Sequence, residues 1–342
     1  MNWKRKILLL IIGCAPFLYG EAQDLHFSQF YNSPLTANPA NTGFIPDADY
    51  RFGGTYRNQW SSILSSPYRT FSVFGDAQVM RNKFENGWLG LGGVILSDVA
   101  GSGNMRSTKV YGSLAYHQML GESSLLSAGF NLGWANKRID VSKLVFPDQF
   151  DGKFFDAGLP TSVVLTNTNV SYFDIQVGMN YAYFPNENTY VHFGYSLLHV
   201  NQPRETFFTE GEGSIIPMRH VVFADAMLKV NDRVILNPNG YFTTQANATE
   251  TILGLTLNYD LSGDKEGDRQ LILGLYDRLG DALIPTAGLE INNIRFTFSY
   301  DVTNSSLSNF NSSQGAQELS IIKKGFYNNY NGDKRQSLCP QF

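Results

Sequence analysis

Residues 173–183, FDIQVGMNYAY, alternate strictly between two kinds of side chain. The apolar and aromatic side chains occupy the odd positions: Phe173, Ile175, Val177, Met179, Tyr181 and Tyr183. The polar and small side chains occupy the even positions: Asp174, Gln176, Gly178, Asn180 and Ala182. Because successive side chains of a β-strand point to opposite faces, this pattern predicts a strand with one apolar face and one polar face. A tilted strand of about nine to eleven residues is long enough to cross a bilayer.

The same alternation recurs along most of the chain, for example in LSAGFNLGW (126–134), LGLTLNYD (253–260) and IRFTFSYD (294–301). We count fourteen such segments, at 50–58, 69–79, 86–97, 106–118, 124–136, 171–184, 188–199, 219–230, 233–243, 250–260, 269–277, 282–290, 293–301 and 315–323. An even number of long alternating strands is typical of an outer-membrane barrel. A soluble β-sandwich also alternates, but its strands are usually nearer five or six residues.

The composition agrees with a lipid-facing barrel. Aromatic residues make up 14% of the chain and charged residues 16%, below the roughly 25% charged content of soluble domains. We therefore predict an all-β fold, a transmembrane antiparallel β-barrel of about fourteen strands over residues 49–325, whose apolar face contacts outer-membrane lipid. The formal charge of −4 argues against a nucleic-acid partner.

The first residues predict export. Lys4, Arg5 and Lys6 precede an apolar run over 7–19, and Gly20-Glu21-Ala22 offers small residues at a cleavage site, so residues 1–22 are interpreted as a signal peptide. An alternative is that Ile11-Ile12-Gly13-Cys14 acts as a lipobox with a lipidated Cys14. If the signal peptide is removed, Cys339 is the one cysteine left, and no intrachain disulfide can form.

Loop lengths predict the orientation of the barrel. The connections after strands 1, 3, 5, 7 and 13 are longer, especially 137–170, 200–218 and 302–314, whereas most connections after even-numbered strands are short. Outer-membrane barrels have short periplasmic turns and longer outer loops. Both termini, including a C-terminal tail at 326–342, are therefore expected in the periplasm.

The segment before the first strand, residues 23–48, contains DLHFSQFYNSPLTANPANTGF (24–44). Ser33 and Asn38 each precede a proline, which disfavours helix, so an extended segment is expected. A barrel of fourteen strands has a lumen wide enough that something is expected to occupy it. The segment is therefore predicted to enter the lumen from the periplasmic side and plug it, or else to dock on periplasmic secretion machinery. The residues expected to line the lumen or bind a partner are Asp24, His26, Phe27, Ser28, Gln29, Phe30, Tyr31, Asn32, Pro34, Asn38 and Pro39. Their expected partners are inward residues such as Arg295, Thr297 and Asp301.

Two long outer loops carry aromatic and amide side chains that suit a partly desolvated protein interface. The candidate partner-binding residues are Phe150, Phe154, Phe155, His199, Asn201, Gln202, Pro203, Phe207 and Phe208. The alternative is that these loops face lipopolysaccharide and have no specific role.

The chain shows no motif for catalysis or cofactor binding. There is no nucleophile elbow, P-loop or dinucleotide fingerprint, and the five histidines lack ligand spacing. Gly90, Gly92 and Gly93 lie inside a strand pattern, where glycine more often relieves crowding in a barrel wall. We therefore expect no enzymatic activity, cofactor or metal.

Several segments in order resemble the PorP/SprF family of type IX secretion and gliding-motility outer-membrane proteins. These are DLHFSQFYNSPLTANPANTGF (24–44), YRNQW (56–60), LGLGGVILSDVAG (89–101), SLLHVNQPRETF (196–207), FTFSYDVTNSSLS (296–308), GAQELSI (315–321) and CPQF (339–342). The family usually has aspartate-proline-histidine where this chain has Asp24-Leu25-His26. The resemblance implies a barrel that associates with the type IX machinery, or with a secreted, often adhesin-like partner bearing a C-terminal sorting domain. A passive channel for small solutes remains the alternative.

Overall fold

The computed structural model describes residues 25–327 apart from 82, 85, 102, 157, 164–166, 206, 208–214 and 263–268. Fourteen strands make up the described chain: β1 Tyr50–Gln59, β2 Tyr68–Val79, β3 Gly87–Ala100, β4 Met105–Met119, β5 Ser124–Arg138, β6 Asn169–Asn186, β7 Thr189–Leu198, β8 Arg219–Asn231, β9 Val234–Gln245, β10 Ala248–Asp260, β11 Arg269–Arg278, β12 Ala282–Ile291, β13 Ile294–Thr303 and β14 Gln314–Gly325. Each strand pairs with its chain neighbours, and β1 pairs antiparallel with β14, so the sheet is closed. The predicted fourteen-stranded antiparallel barrel is confirmed.

The two faces of each strand separate as the alternation predicts. On β6, Phe173 is 52% exposed on the outside of the barrel, while its neighbour Asp174 is fully buried on the inside. The acids Asp260 and Asp301 also face inward and are buried. The inner wall is therefore polar and the outer wall apolar, as expected for a barrel in lipid. No helix among the described residues is long and apolar enough to cross a membrane.

The barrel has two unlike ends, which we call the turn end and the loop end. At the turn end, where β1 begins, two-residue turns at 187–188, 232–233 and 292–293 join neighbouring strands. Asn292 and Asn293 both have positive φ (50° and 61°), the conformation of a tight hairpin turn. At the loop end, the connections 139–168, 199–218 and 304–313 are long.

One loop prediction is wrong. The connection between β3 and β4 spans only residues 101–104, although it was expected to be among the longer outer loops. The strands continue further than the alternation indicates, because β3 runs to Ala100 and β4 begins at Met105. A strand that extends beyond the apolar band need not alternate there, so its end is not visible in the pattern.

The N-terminal segment lies inside the barrel, but it is not extended throughout. It forms three short helical turns, at Phe30–Asn32, Pro34–Ala37 and Pro39–Asn41. The residues before the prolines are non-helical as predicted: Ser33 has φ −127° and ψ 60°, and Asn38 has φ −157° and ψ 125°. Each proline instead begins a new turn, because its fixed φ suits the first helical position. The prolines therefore break the chain into turns rather than holding it straight.

The segment runs the length of the lumen. The carbonyl oxygen of Leu25 accepts a hydrogen bond from Arg219 Nη1 (3.0 Å) at the loop end of β8. The N–H of Asp49 donates to the carbonyl oxygen of Gly325 (2.8 Å) at the turn end. The first described residue thus lies at the opposite end of the barrel from the start of β1, whereas the mature N-terminus was expected on the periplasmic side. The predicted signal peptide, Cys14, Asp24 and residues 328–342 of the tail lie outside the described residues.

Candidate functional site: the occupied lumen and the outer loops

A buried ionic cluster holds the beginning of the segment near the loop end. Arg57 Nη2 lies 2.9 Å from Asp301 Oδ2, Arg57 Nη1 lies 3.1 Å from Glu318 Oε2, and Arg278 Nη1 lies 3.0 Å from Asp301 Oδ2. Ser28 is at the centre: its Oγ accepts from Arg57 and from Arg278 (both 2.6 Å) and donates to Asp301 (2.8 Å). These contacts use the single donor and both acceptor sites of the hydroxyl. Strands β1, β11, β13 and β14 are thereby joined through one serine.

The backbone of the segment is bound to the same wall. The two oxygens of Glu318 accept the N–H groups of Ser28 (2.9 Å) and Gln29 (2.8 Å). The Gln29 amide donates to Ser299 Oγ and to the carbonyl of Glu318, both at 3.0 Å. His26 Nε2 lies 3.7 Å from Glu250 Oε2. Backbone donors that would otherwise be buried without partners are therefore satisfied by a wall carboxylate.

Aromatic rings fill the space around this polar anchor. Phe30 stacks on Tyr241 (ring centroids 5.0 Å apart), and Tyr31 stacks on Tyr276 (5.2 Å). Phe27 is buried in a second apolar cluster with Leu35, Phe74, Val94, Leu96, Tyr111 and Ile322. The lumen near the segment is thus packed by side chains rather than left as an open aqueous path.

Glycines in the barrel wall leave space for the middle of the segment. A Cβ atom at Gly90 would overlap the carbonyl oxygen of Thr42, and one at Gly178 would overlap the side-chain oxygen of Asn38. A Cβ at Gly129 would lie 2.6 Å from the carbonyl oxygen of Pro39. Gly90 on β3 and Gly129 on β5 therefore mark the places where the backbones of the wall and the segment approach each other closely, and Gly178 on β6 leaves room for the side chain of Asn38.

Polar side chains complete the attachment of residues 38–43. Asn38 Nδ2 donates to Asn180 Oδ1 (2.7 Å), and Trp88 Nε1 donates to the carbonyl oxygen of Gly43 (3.0 Å). His117 Nε2 lies 2.8 Å from the carbonyl oxygen of Thr42. Because a carbonyl can only accept, this nitrogen carries the ring proton.

The turn end of the segment is held by ion pairs. Arg51 binds the carboxylate of Asp76 through Nε (2.8 Å) and Nη2 (3.0 Å), and Asp76 also accepts the N–H of Gly43 (2.7 Å). Lys324 Nζ lies 2.6 Å from Asp47 Oδ2. Residues 25–49 are therefore attached to the wall from one end of the lumen to the other.

Only one of the three suggested inward partners is seen to hydrogen-bond to the segment. Ser28 contacts Asp301, but Arg295 instead pairs with Glu290 on the neighbouring strand (2.7 Å), near the turn end. Thr297 Oγ1 has no hydrogen-bond partner among the described residues. The alternation showed which residues face inward but not how far along the lumen each residue of the segment lies.

The long outer loop between β5 and β6 presents three phenylalanines to solvent. Phe150 is 49% exposed, Phe154 74% and Phe155 62%, and the rings of Phe150 and Phe155 lie 5.1 Å apart. Phe207, in the loop between β7 and β8, is half-buried, and Phe208 lies outside the described residues. Exposed aromatic clusters of this kind are typical of protein interaction surfaces.

Two of the predicted outer-loop residues are not on the surface. His199 is buried, with Nδ1 2.9 Å from Asp174 Oδ1 inside the wall, and Pro203 is also buried. Asn201 is exposed but bonded back onto β6 through the N–H of Ile175 (3.0 Å), and Gln202 is exposed. His199 and Pro203 therefore cannot contribute to an outer contact surface, because the chain folds back over the barrel mouth directly after β7.

Sequence reasoning missed three residues that are central to the lumen: Arg57, Arg278 and Glu318, which form the cluster around Ser28. It also did not single out Phe310, in the loop between β13 and β14, which is 78% exposed. A signal was present for the first three, because charged residues at inward positions of membrane strands are costly unless they are paired and functional. Their mutual pairing required the strand order and register.

Comparison with known proteins identifies the family. No curated protein matches the chain. The family model described as type IX secretion system membrane protein PorP/SprF matches residues 19–322. The chain belongs to this family. This PorP/SprF protein is therefore an outer-membrane β-barrel of type IX secretion.

Solved structures with a similar fold include two transporters. The toluene transporter TbuX of Ralstonia pickettii aligns with a TM-score of 0.52 and 11% identity, covering 86% of this chain and 94% of its own. The P. putida toluene transporter TodX aligns with a TM-score of 0.51 and 13% identity, covering 86% of this chain and 94% of its own. At such identities the likeness concerns the fold alone.

Proposed function

We propose that this PorP/SprF protein is a non-enzymatic barrel that binds a secreted partner through its outer loops and helps to export it or anchor it at the cell surface. The partner is an adhesin-like protein with a C-terminal sorting domain, and components of the type IX machinery meet the barrel as well. The exposed phenylalanines Phe150, Phe154 and Phe155 carry this proposal, since they form an apolar cluster on an outer loop.

Hydrogen bonds hold this loop in shape before any partner arrives. Asp148 accepts from the N–H of Ser162 (2.6 Å), and Asp151 accepts from the N–H groups of Lys153 and Phe154 (both 2.7 Å). These bonds hold the pKa of each carboxyl below its usual range. A loop that is ordered in advance loses less conformational entropy on binding, which favours a dedicated binding surface.

A passive solute channel is the second candidate, because the similar folds include transporters. The occupied lumen disfavours it. Ser28 and Gln29 are buried and bonded within the loop-end half, where a solute would have to pass. Conduction would require the segment to leave a cluster of paired charges.

Substitution of the three phenylalanines by serine tests the proposal in cells. We expect the partner to be lost from the surface fraction while the barrel remains in the outer membrane, as measured by surface proteomics and by heat-modifiable gel migration. Phe310→Ser is the matched control, because Phe310 is as exposed at the loop end but lies on another loop. Unchanged retention of every surface protein in the triple variant would contradict the proposal.

A further inference from the structure

A cavity of about 250 Å³ lies in the turn-end half of the lumen. Phe30, Tyr31 and Pro34 of the N-terminal segment line its inner side, and Pro46, Asp47 and Lys324 lie toward its mouth at the turn end. This half of the lumen is therefore a chamber that faces the periplasm and ends at the segment. Nothing in the proposed role of the outer loops uses it.

Five buried polar atoms belong to side chains that line this cavity and make no hydrogen bond within the described part of the chain. They are Tyr31 Oη, Asn32 Oδ1, His192 Nε2, Asn239 Oδ1 and Thr297 Oγ1. All of these residues except Tyr31 are more than nine-tenths buried. Buried polar groups are nearly always paired, so this group of unpaired atoms around one cavity points to a bound molecule that supplies the missing partners.

The unpaired atoms are mostly acceptors. Asn32 already uses its amide N–H on Gln29 Oε1 (2.8 Å), and Asn239 uses its own on Tyr276 (3.1 Å), so in each the carbonyl oxygen is left. His192 Nδ1 lies 2.9 Å from Asp225 Oδ1, and because a carboxylate can only accept, this nitrogen carries a proton; in the neutral ring Nε2 is then an acceptor. A fitting ligand must therefore bring several donors.

Aromatic rings make up much of the remaining wall. Phe44 stacks on His192 with ring centroids 4.7 Å apart, and Phe30, Phe223 and Tyr190 also line the cavity. A site with apolar ring faces and a few convergent polar atoms is the usual form of a small-molecule site. The ligand must accordingly carry both donors and an apolar face.

The charged groups that line the cavity already have partners. Each cation has a carboxylate within 3 Å: Arg51 with Asp76, Arg295 with Glu290, and Lys324 with Asp47. The remaining carboxylate of the lining, Asp225, is hydrogen-bonded to His192 Nδ1. Because neither an anion nor a cation would find a free counter-charge among these groups, a neutral ligand is favoured.

We propose that the cavity binds a neutral, hydroxyl-rich ring ligand of one or two sugar units that enters from the turn end. Its hydroxyls donate to Asn32, His192, Asn239 and Thr297, and its apolar ring faces lie against Phe30 and Phe223. The volume is below the roughly 300–1,000 Å³ of sites for drug-sized ligands, which limits the ligand to this size.

Calorimetry on the purified full-length barrel in detergent tests the charge preference without any variant. The probes are N-acetylglucosamine, which is neutral, glucosamine, which is cationic, and glucuronate, which is anionic. We expect saturable binding of the neutral sugar and binding at least tenfold weaker for both charged ones. No binding of the neutral sugar, or equal binding of all three, would overturn the proposal.

Thr297→Val localises the binding. Replacing an unpaired buried hydroxyl by a methyl group leaves the fold at least as stable, so the melting temperature should be kept. We expect the affinity for N-acetylglucosamine to fall about tenfold, the effect of one lost hydrogen bond. Ser113→Ala is the matched control, since Ser113 Oγ is also buried and unpaired but does not line the cavity. Equal losses in both variants would overturn the assignment to this cavity.

A second experiment distinguishes two sources of the sugar. If isolated cell-wall sacculi sediment the protein and N-acetylglucosamine releases it, the ligand is a glycan of the wall. If sacculi do not sediment a barrel that still binds the free sugar, the ligand is a soluble saccharide.

Discussion

Ser28 Oγ lies 2.8 Å from Asp301 Oδ1, although 273 residues separate the two in the chain. The contact joins the start of the N-terminal segment to β13, one of the last strands of the barrel. Each carboxylate of this cluster faces a guanidinium group, and Ser28 bridges the two kinds of charge. In a buried cluster, removing one member leaves its neighbours without partners, which costs more than the net value of a hydrogen bond.

Ser28→Ala should therefore loosen the segment and destabilise the barrel. The change removes two hydrogen bonds accepted from arginines and one donated to Asp301, and we expect a loss of about 1–3 kcal/mol. The temperature at which the folded band converts to the unfolded band in gels measures it. Ser65→Ala, at an exposed serine of the loop between β1 and β2, should leave this temperature unchanged. An equal shift in both variants would contradict the role of Ser28.

Gly90→Ala should displace the middle of the segment without damaging the barrel wall. The added methyl group would overlap the backbone of Thr42, which cannot rotate away as a side chain could. With Cys339 replaced by serine, a cysteine introduced at Thr36, near the loop end, should then react faster with a membrane-impermeant thiol reagent added outside the cell than it does in the same variant with Gly90. Gly112→Ala is the control, since a Cβ there meets only the carbonyl oxygen of Leu132 at 4.0 Å. Equal labelling rates in the two variants would mean that close packing at Gly90 does not hold the segment.

Deletion of residues 25–46 should convert a closed barrel into a conducting one. In planar bilayers the intact protein should show little conductance, because bonded side chains occupy the lumen, whereas the deletion variant should open steps typical of a wide barrel. Large conductance of the intact protein would instead favour the passive channel. The comparison is valid only if the deletion variant still folds into a barrel, which heat-modifiable migration in gels would show.

The sequence predicted the wall better than its contents. Alternation of side chains identified all fourteen strands, because lipid outside and a polar lumen inside impose a period of two on each strand, as at Phe173 and Asp174. The N-terminal segment has no such period, since it is surrounded by wall on every side. The prolines correctly indicated non-helical Ser33 and Asn38, but local rules do not show that each proline would begin a turn.

The contacts of the candidate site were also harder to predict than the strands, because local sequence patterns do not show them. Ser28 and Asp301 were both named as lumen residues, whereas Arg57, Arg278 and Glu318 were not, because pairing across the barrel depends on strand register. His199, at the end of the predicted strand 188–199, was named among the outer-loop residues, yet its ring lies inside the wall against Asp174 on the neighbouring strand.

Asp148→Ala should open the outer loop that carries the exposed phenylalanines. The carboxylate accepts bonds from Thr161 Oγ1 (2.9 Å) and from the N–H of Ser162 (2.6 Å), which tie the two sides of the loop together. We expect faster chymotrypsin cleavage within 139–168 and weaker retention of the secreted partner. Lys153→Ala is the control, since it lies in the same loop and leaves the bonds of Asp148 in place.

Acid should reproduce the effect of this substitution in the intact protein. The folded loop lowers the pKa of Asp148 below its ordinary value of 3.8, chiefly through the N–H of Ser162. A lowered pKa means that the carboxylate stabilises the loop fully above the ordinary value and loses that contribution as the pH falls through the lower, folded value. Protection against an acid-active protease should therefore persist from pH 7 to about pH 4 and fall below that. In Asp148→Ala the rate of cleavage should already be high at pH 7 and should change less with acid. A parent protein whose loop opens near pH 6 would show that some other group controls it.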